Sequence, residues 1–147
     1  MPAVRWSPRL VYVLVPEEGA SERQVLLAGA RACRVSLQHG LLPICPQLYY
    51  ASLLTPEEKS IRLPREARSW FRSCSSIWLV FPLEEEDLDR LAYNLLRENE
   101  RCRERRPVYQ LEVLGDSVVP VPMARQEVRS VLQCNLSVGF ACAAVAI

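Results

Sequence analysis

Short, unbroken apolar runs alternate along this chain with longer amphipathic stretches. The runs are Leu10 to Val15, Leu41 to Cys45 and Ile77 to Phe81, rich in β-branched and aromatic side chains, while Val108 to Leu114, interrupted by Gln110 and Glu112, reads as a fourth strand. They are too short for lone helices and apolar on both faces, which predicts strands buried in a parallel sheet. Between the runs the spacing changes. Leu88, Leu91, Ala92, Leu95 and Leu96 lie three and four residues apart, the pattern of one helix face. Earlier, Val25, Ala28, Gly29, Ala32, Cys33, Val35, Ser36 and Leu37 form a small-residue face that ends at His39-Gly40. Ser21 with Gln24 matches a capping box at its start, and Gly40 is the expected stop. Such small residues predict a helix lying close against the sheet.

The remaining segments fill in around this frame. Pro43 and Pro46 confine the second strand to a few residues near the sheet edge. Gln47 to Pro56 is aromatic without clear periodicity, and reads as a loop or short helix over one end of the sheet. Pro64 to Ser73 predicts another helix, with Ala67, Trp70, Phe71 and Cys74 inward. Gly115-Asp116 predicts a turn into a short edge strand at Val118 to Val121. A last helix over Met123 to Gln133 is carried by Val128, Val131 and Leu132. This order predicts a doubly wound, three-layer α/β fold, Rossmann-like or flavodoxin-like, with four or five mostly parallel strands. The first four strands should lie in the order 2-1-3-4. Residues 1–135 make one domain, followed by an apolar tail at 136–147. That tail is shorter than the ~18–20 residues a membrane span needs, and is expected to pack on the core or mediate self-association.

Composition narrows the function classes. A length of 147 residues allows one domain with a real core. A formal net charge of +1 argues against a broad nucleic-acid surface. The mixed run Glu98 to Arg106 reads as a solvated helix end, with a phosphate-gripping patch as the sharper alternative. Six cysteines are scattered without C-x-x-C spacing, and His39 is the only histidine, so neither a zinc site nor another cofactor is expected. Free thiols and an N-terminus without a signal-peptide pattern point to the cytoplasm.

In open α/β sheets, ligands bind at the carboxyl ends of the strands. The candidate cleft there collects Tyr12, Pro16, Glu17, Gln47, Tyr49, Tyr50 and the acidic string Glu84, Glu85, Glu86, Asp87, with Asp116 approaching from the fourth strand. Carboxylates in a first helical turn also suit the helix dipole. No G-x-G-x-x-G follows the first strand and no phosphate-binding lysine loop occurs, so neither usual nucleotide site is supported. A serine triad would need His39, at the far side of the second strand.

Three blocks, Val11-Tyr12-Val13 with Pro16, Pro43-Ile44-Cys45-Pro46-Gln47-Leu48-Tyr49, and Cys74-Ser75-Ser76-Ile77-Trp78-Leu79-Val80-Phe81, carry a resemblance. Over residues 10 to 112 the chain resembles the nucleoside 2-deoxyribosyltransferase-like proteins, in particular their small, often phage-borne branch. The resemblance implies a glutamate nucleophile on the helix after the third strand, attacking the sugar carbon as in retaining glycosidases. Asp87 stands at that place here, with Glu86 beside it, and Tyr12 matches the tyrosine of strand one. The chain departs from the family in several places. Leu14-Val15 replace a small Ala-Gly pair, Pro82 replaces a glycine, and Gln47 replaces a histidine. Leu83 to Glu86 replace a small-residue turn, filling space and repelling anions. The expectation is a non-catalytic or altered relative that binds a small nucleoside-like ligand or a protein partner. An active N-glycosidic hydrolase or transferase is the alternative. Pro16, Glu17, Gln47, Tyr49, Tyr50 and Glu84 are the expected ligand contacts.

Overall fold

The computed structural model describes residues 9–15, 21–53, 69–80 and 90–134. Strand β1 (Leu10–Leu14) leads to helix α1 (Glu22–Gln38), strand β2 (Leu42–Ile44) and helix α2 (Pro46–Leu53). A 3₁₀ turn (Ser69–Ser73) precedes strand β3 (Ser76–Leu79), helix α3 (Arg90–Arg101), strand β4 (Val108–Leu114) and strand β5 (Ser117–Pro122). A last helix, α4, runs over 125–134. The sheet order is β2-β1-β3-β4-β5. The first four strands are parallel and β5 is antiparallel to β4. This is the expected 2-1-3-4 arrangement, extended by one antiparallel edge strand.

Alternation along the strands divides the core in two. Val11, Val13, Trp78 and Leu111 face Ala32 and Val35 of α1. Tyr12, Leu14, Ile77, Leu79 and Val108 face Phe71, Leu95, Leu96, Val128 and Val131 on the opposite side. Helices therefore cover both faces, as right-handed crossovers on either side of β1 require. Each large apolar side chain so buried contributes roughly 1.5–3 kcal/mol relative to exposure.

Local signals explain where α1 begins and ends. The Ser21 hydroxyl accepts from Gln24 N–H while the Gln24 side chain accepts from Ser21 N–H, completing the capping box. At the other end Gly40 adopts φ 73°. Leu41 N–H reaches Ser36 O at 3.0 Å and Gly40 N–H reaches Leu37 O at 3.0 Å, the two bonds of a Schellman motif. The small face lies as expected except for Leu37, which is exposed because it follows Val35 and Ser36 around the helix and falls off the buried face. Between β4 and β5, Gly115 has φ 63° while Asp116 keeps a negative φ, the combination of a type II′ hairpin turn.

Of the loop or short helix expected after Pro46, the described part is the helix, with Pro46 at its first position. One expectation needs correction. The segment Glu98 to Arg106 is not simply solvated. Asn99 is fully buried and exchanges bonds with Arg106, Nδ2 to its carbonyl and Oδ1 from its N–H, each at 2.9 Å. Glu100 accepts from Arg105, from Arg125 Nε at 3.2 Å and from Arg129 Nε at 3.2 Å, tying α3 to α4. Of the helix expected over Pro64 to Ser73 only its end is described, as a 3₁₀ turn with Phe71 buried. The tail 136–147 lies outside the described residues.

Candidate functional site

At the carboxyl end of β1, the Gln47 side chain lies against the main chain of Val15. Its Oε1 accepts from Val15 N–H at 2.9 Å, and its Nε2 donates to Val15 O at 2.6 Å. The amide thus pairs with β1 as a neighbouring strand would, and fastens the second residue of α2 to the strand end. Gln47 is buried and serves the fold here. Tyr12, expected in the cleft, is buried in the core, its ring edge-on to Phe71 with centroids 6.4 Å apart. A strand covered on both faces turns alternate side chains into two cores, so neither set reaches solvent. Pro16, Glu17, Glu84, Glu86 and Asp87 lie outside the described residues, as does the side chain of Tyr50. Asp116 is exposed on the β4–β5 turn.

What the fold does assemble is a cavity of about 450 Å³ along β2, at the edge of the sheet. It is lined by Pro43, Ile44 and Cys45 of β2 and its end, Leu48 and Tyr49 of α2, Cys33 of α1, and Trp70 and Cys74. Tyr49 and Trp70 meet edge to face, centroids 6.0 Å apart. Tyr49 is more than half exposed, so its ring forms part of the rim. Among the described residues, Tyr49 is the expected ligand contact that lines this cavity; Trp70 and the three cysteines join it from segments read for packing only.

The cysteines differ sharply in environment. All three are free thiols. Cys45 closes β2 and caps α2: its carbonyl accepts Leu48 N–H at 3.1 Å and Tyr49 N–H at 3.2 Å. A hydrogen bond from the Cys33 thiol lowers the Cys45 pKa against the opposing effect of burial, and the N–H groups of Leu48 and Gln47 add to the lowering. Cys33 is correspondingly pushed up, first by that same bond and then by burial. Burial raises Cys74 to about 11, with Arg106 pulling weakly the other way.

A second depression, of about 580 Å³, is lined by Arg72, Glu98, Arg101, Cys102, Arg103, Glu104 and Arg106. It corresponds to the arginine-rich run seen in the sequence. Arg106 commits its guanidinium to the carbonyls of Cys74, Glu104 and Arg72, bracing the approach to β3. Glu98 and Glu104 partly offset the remaining Arg72, Arg101 and Arg103.

Among the described residues no group of three or more His, Cys, Asp or Glu side chains is placed to hold a metal ion. None of their helices is long and apolar enough to cross a membrane. The structure defines the class of protein: a three-layer α/β domain of flavodoxin-like strand order with an apolar, thiol-lined edge cavity. In comparisons with protein-family models, curated proteins and solved structures, nothing matches the chain.

Proposed function

We propose that this chain is a small-molecule binding protein, a non-catalytic relative of the deoxyribosyltransferase-like proteins, whose ligand presents a flat ring of nucleoside type. The edge cavity carries this reading. Its volume of about 450 Å³ suits such a ligand, and an apolar lining with a few polar groups is usual for one. Tyr49 and Trp70 offer ring faces and edges for stacking, and the Ser73 side chain and the thiols supply polar contacts. Two further observations lean away from catalysis. Gln47, standing where the resembled family has a histidine, has both amide atoms engaged by Val15. Tyr12 is enclosed in the core. Free thiols fit a reducing compartment, and the cytoplasm is the one proposed.

The test is titration of common ribo- and deoxyribonucleosides by calorimetry, alongside chromatographic assay for released base. Binding without turnover, weakened at least tenfold by Trp70→Ala, is the expected result. A flat titration would remove the nucleoside reading and leave a protein partner as the occupant to seek. Base release abolished by Asp87→Ala or Glu86→Ala, with the fold intact, would establish the enzyme instead.

A further inference from the structure

The cavity also brings together a pair of thiols with unequal surroundings. Cys33 lies on α1 one turn after Gly29, so both fall on the helix face turned toward α2. A Cβ at Gly29 would stand 3.5 Å from Cys45 Sγ and 3.3 Å from Leu48 Cγ. The Cys45 sulfur therefore lies against α1 at this turn, within van der Waals reach of the helix face that carries Cys33. Both thiols line the cavity, close enough for each to shift the other's titration in opposite directions.

Their roles are not interchangeable. Cys45 is the N-cap residue of α2, with Pro46 at the first helical position. The backbone N–H groups of Gln47 and Leu48 at this helix start favour its thiolate, and the helix dipole adds to their effect. A thiolate there is stabilised as an anion at a helix N-terminus is. Cys33 sits mid-helix, where no backbone N–H is free to receive a negative charge. The neighbouring Cys45 and burial both keep it protonated. The arrangement separates an attacking sulfur from a second sulfur already within reach of it.

The geometry points to a thiol–disulfide exchange site in which Cys45 is the nucleophile and Cys33 the resolving thiol, with a low-molecular-weight disulfide admitted through the edge cavity as the oxidant. In the first step the Cys45 thiolate attacks one sulfur of the disulfide RS–SR. A Cys45–SR bond forms, the S–S bond of the reagent breaks, and RS⁻ leaves. In the second, Cys33 loses its proton to the departed thiolate or to solvent and attacks the Cys45 sulfur. The Cys33–Cys45 bond forms and the second RS⁻ leaves. Two electrons pass from the protein thiols to the reagent, which departs as two thiols once protonated. Cys74 shares the cavity but stays out of this chemistry, its thiol donating to Trp70 O at 3.5 Å rather than pairing with Cys45. The site does not depend on whether a nucleoside also binds in the cavity.

The reduced, folded protein incubated with oxidised glutathione and mapped by mass spectrometry without reductant provides the test. The wild-type chain should gain a Cys33–Cys45 disulfide, whatever adducts the exposed Cys134 collects. Cys33→Ser should stop at a glutathione adduct on Cys45. Cys45→Ser should slow modification at Cys33 at least tenfold. Circular dichroism shows whether each variant keeps its fold, and the wild-type result decides if one does not. The assignment is overturned by a wild-type protein whose Cys33 and Cys45 stay reduced while Cys134 reacts, by bridging seen only in denaturant, or by Cys33 reacting equally fast in Cys45→Ser.

Discussion

The side chain of Gln47 and the main chain of Val15 form a two-bond pair across 32 positions of sequence, buried at the carboxyl end of β1. It closes the strand with a side chain where a neighbouring strand would otherwise supply the partners. Replacing Gln47 by leucine keeps the bulk but leaves a buried N–H and a buried carbonyl without these bonds. Each stranded group costs about 1–3 kcal/mol. A matching fall in unfolding free energy, measured by urea denaturation with an unchanged m-value, is the expected result. No loss of stability would show that water or another group readily takes over the pair.

Glu100 predicts a pH dependence. Burial pushes its carboxyl up, but the hydrogen bonds from Arg105, Arg125 and Arg129 outweigh it and hold the pKa below the ordinary carboxylate value. The folded pKa is therefore below the unfolded one. The stabilisation is fully present above the unfolded value, about 4.3, and is lost as pH falls through the folded value. Glu100→Gln should lower stability at neutral pH by about 1.5–3 kcal/mol and flatten the profile in the acid range. Urea midpoints compared between pH 7 and pH 3 decide it; equal slopes for variant and wild type would dismiss the network as a contributor.

Gly29 sets a limit on size. An added methyl gains helix propensity of roughly 1 kcal/mol but requires the Leu48 side chain, 3.3 Å away, to give by a few tenths of an ångström. Leu48 borders the cavity and has room to do so. Gly29→Ala should accordingly leave stability within about 1 kcal/mol of the original. Gly29→Val should overpack the α1–α2 contact and cost about 1–3 kcal/mol. Thermal unfolding of the two variants separates them, and equal melting temperatures would mean the helices are not in contact at this point.

Alkylation of the thiols should follow their environments. The titratable groups around the cavity are Cys33, Cys45, Cys74 and Tyr49. Cys45, lowered, should react with iodoacetamide at a lower pH than Cys74, raised to about 11. Peptide mapping across a pH series gives the order directly. Cys74 labelled ahead of Cys45 would reverse the assignment.

Much of the fold can be read in the chain because its central strands, β1 and β3, are built on unbroken apolar runs and its helices are not. The run from Ile77 to Leu79 admits only a doubly covered strand, and the right-handed crossover rule then orders its neighbours. The site is harder to read, for reasons that are physical. Continuous burial removes the in-and-out signal that would have placed Tyr12 in the core rather than the cleft. Cysteine is not among the usual capping residues, so Cys45 passes for the end of a strand; only Pro46 hints at a helix starting there. Glu100 looks like a surface charge because two of its partners, Arg125 and Arg129, come from α4, 25 and 29 residues further on.

Proline stands on both outer strands of the sheet. β2 carries Pro43 at its centre, and β5 carries Pro120 and Pro122. A proline has no N–H to offer, so an incoming strand meets a broken row of donors at either side. The ladder therefore resists extension from one molecule to the next. Should copies of this chain associate, their contact has to be made through side chains or helices. The protein should also be a poor template for cross-β growth, despite a sheet whose interior is among the most hydrophobic parts of the chain.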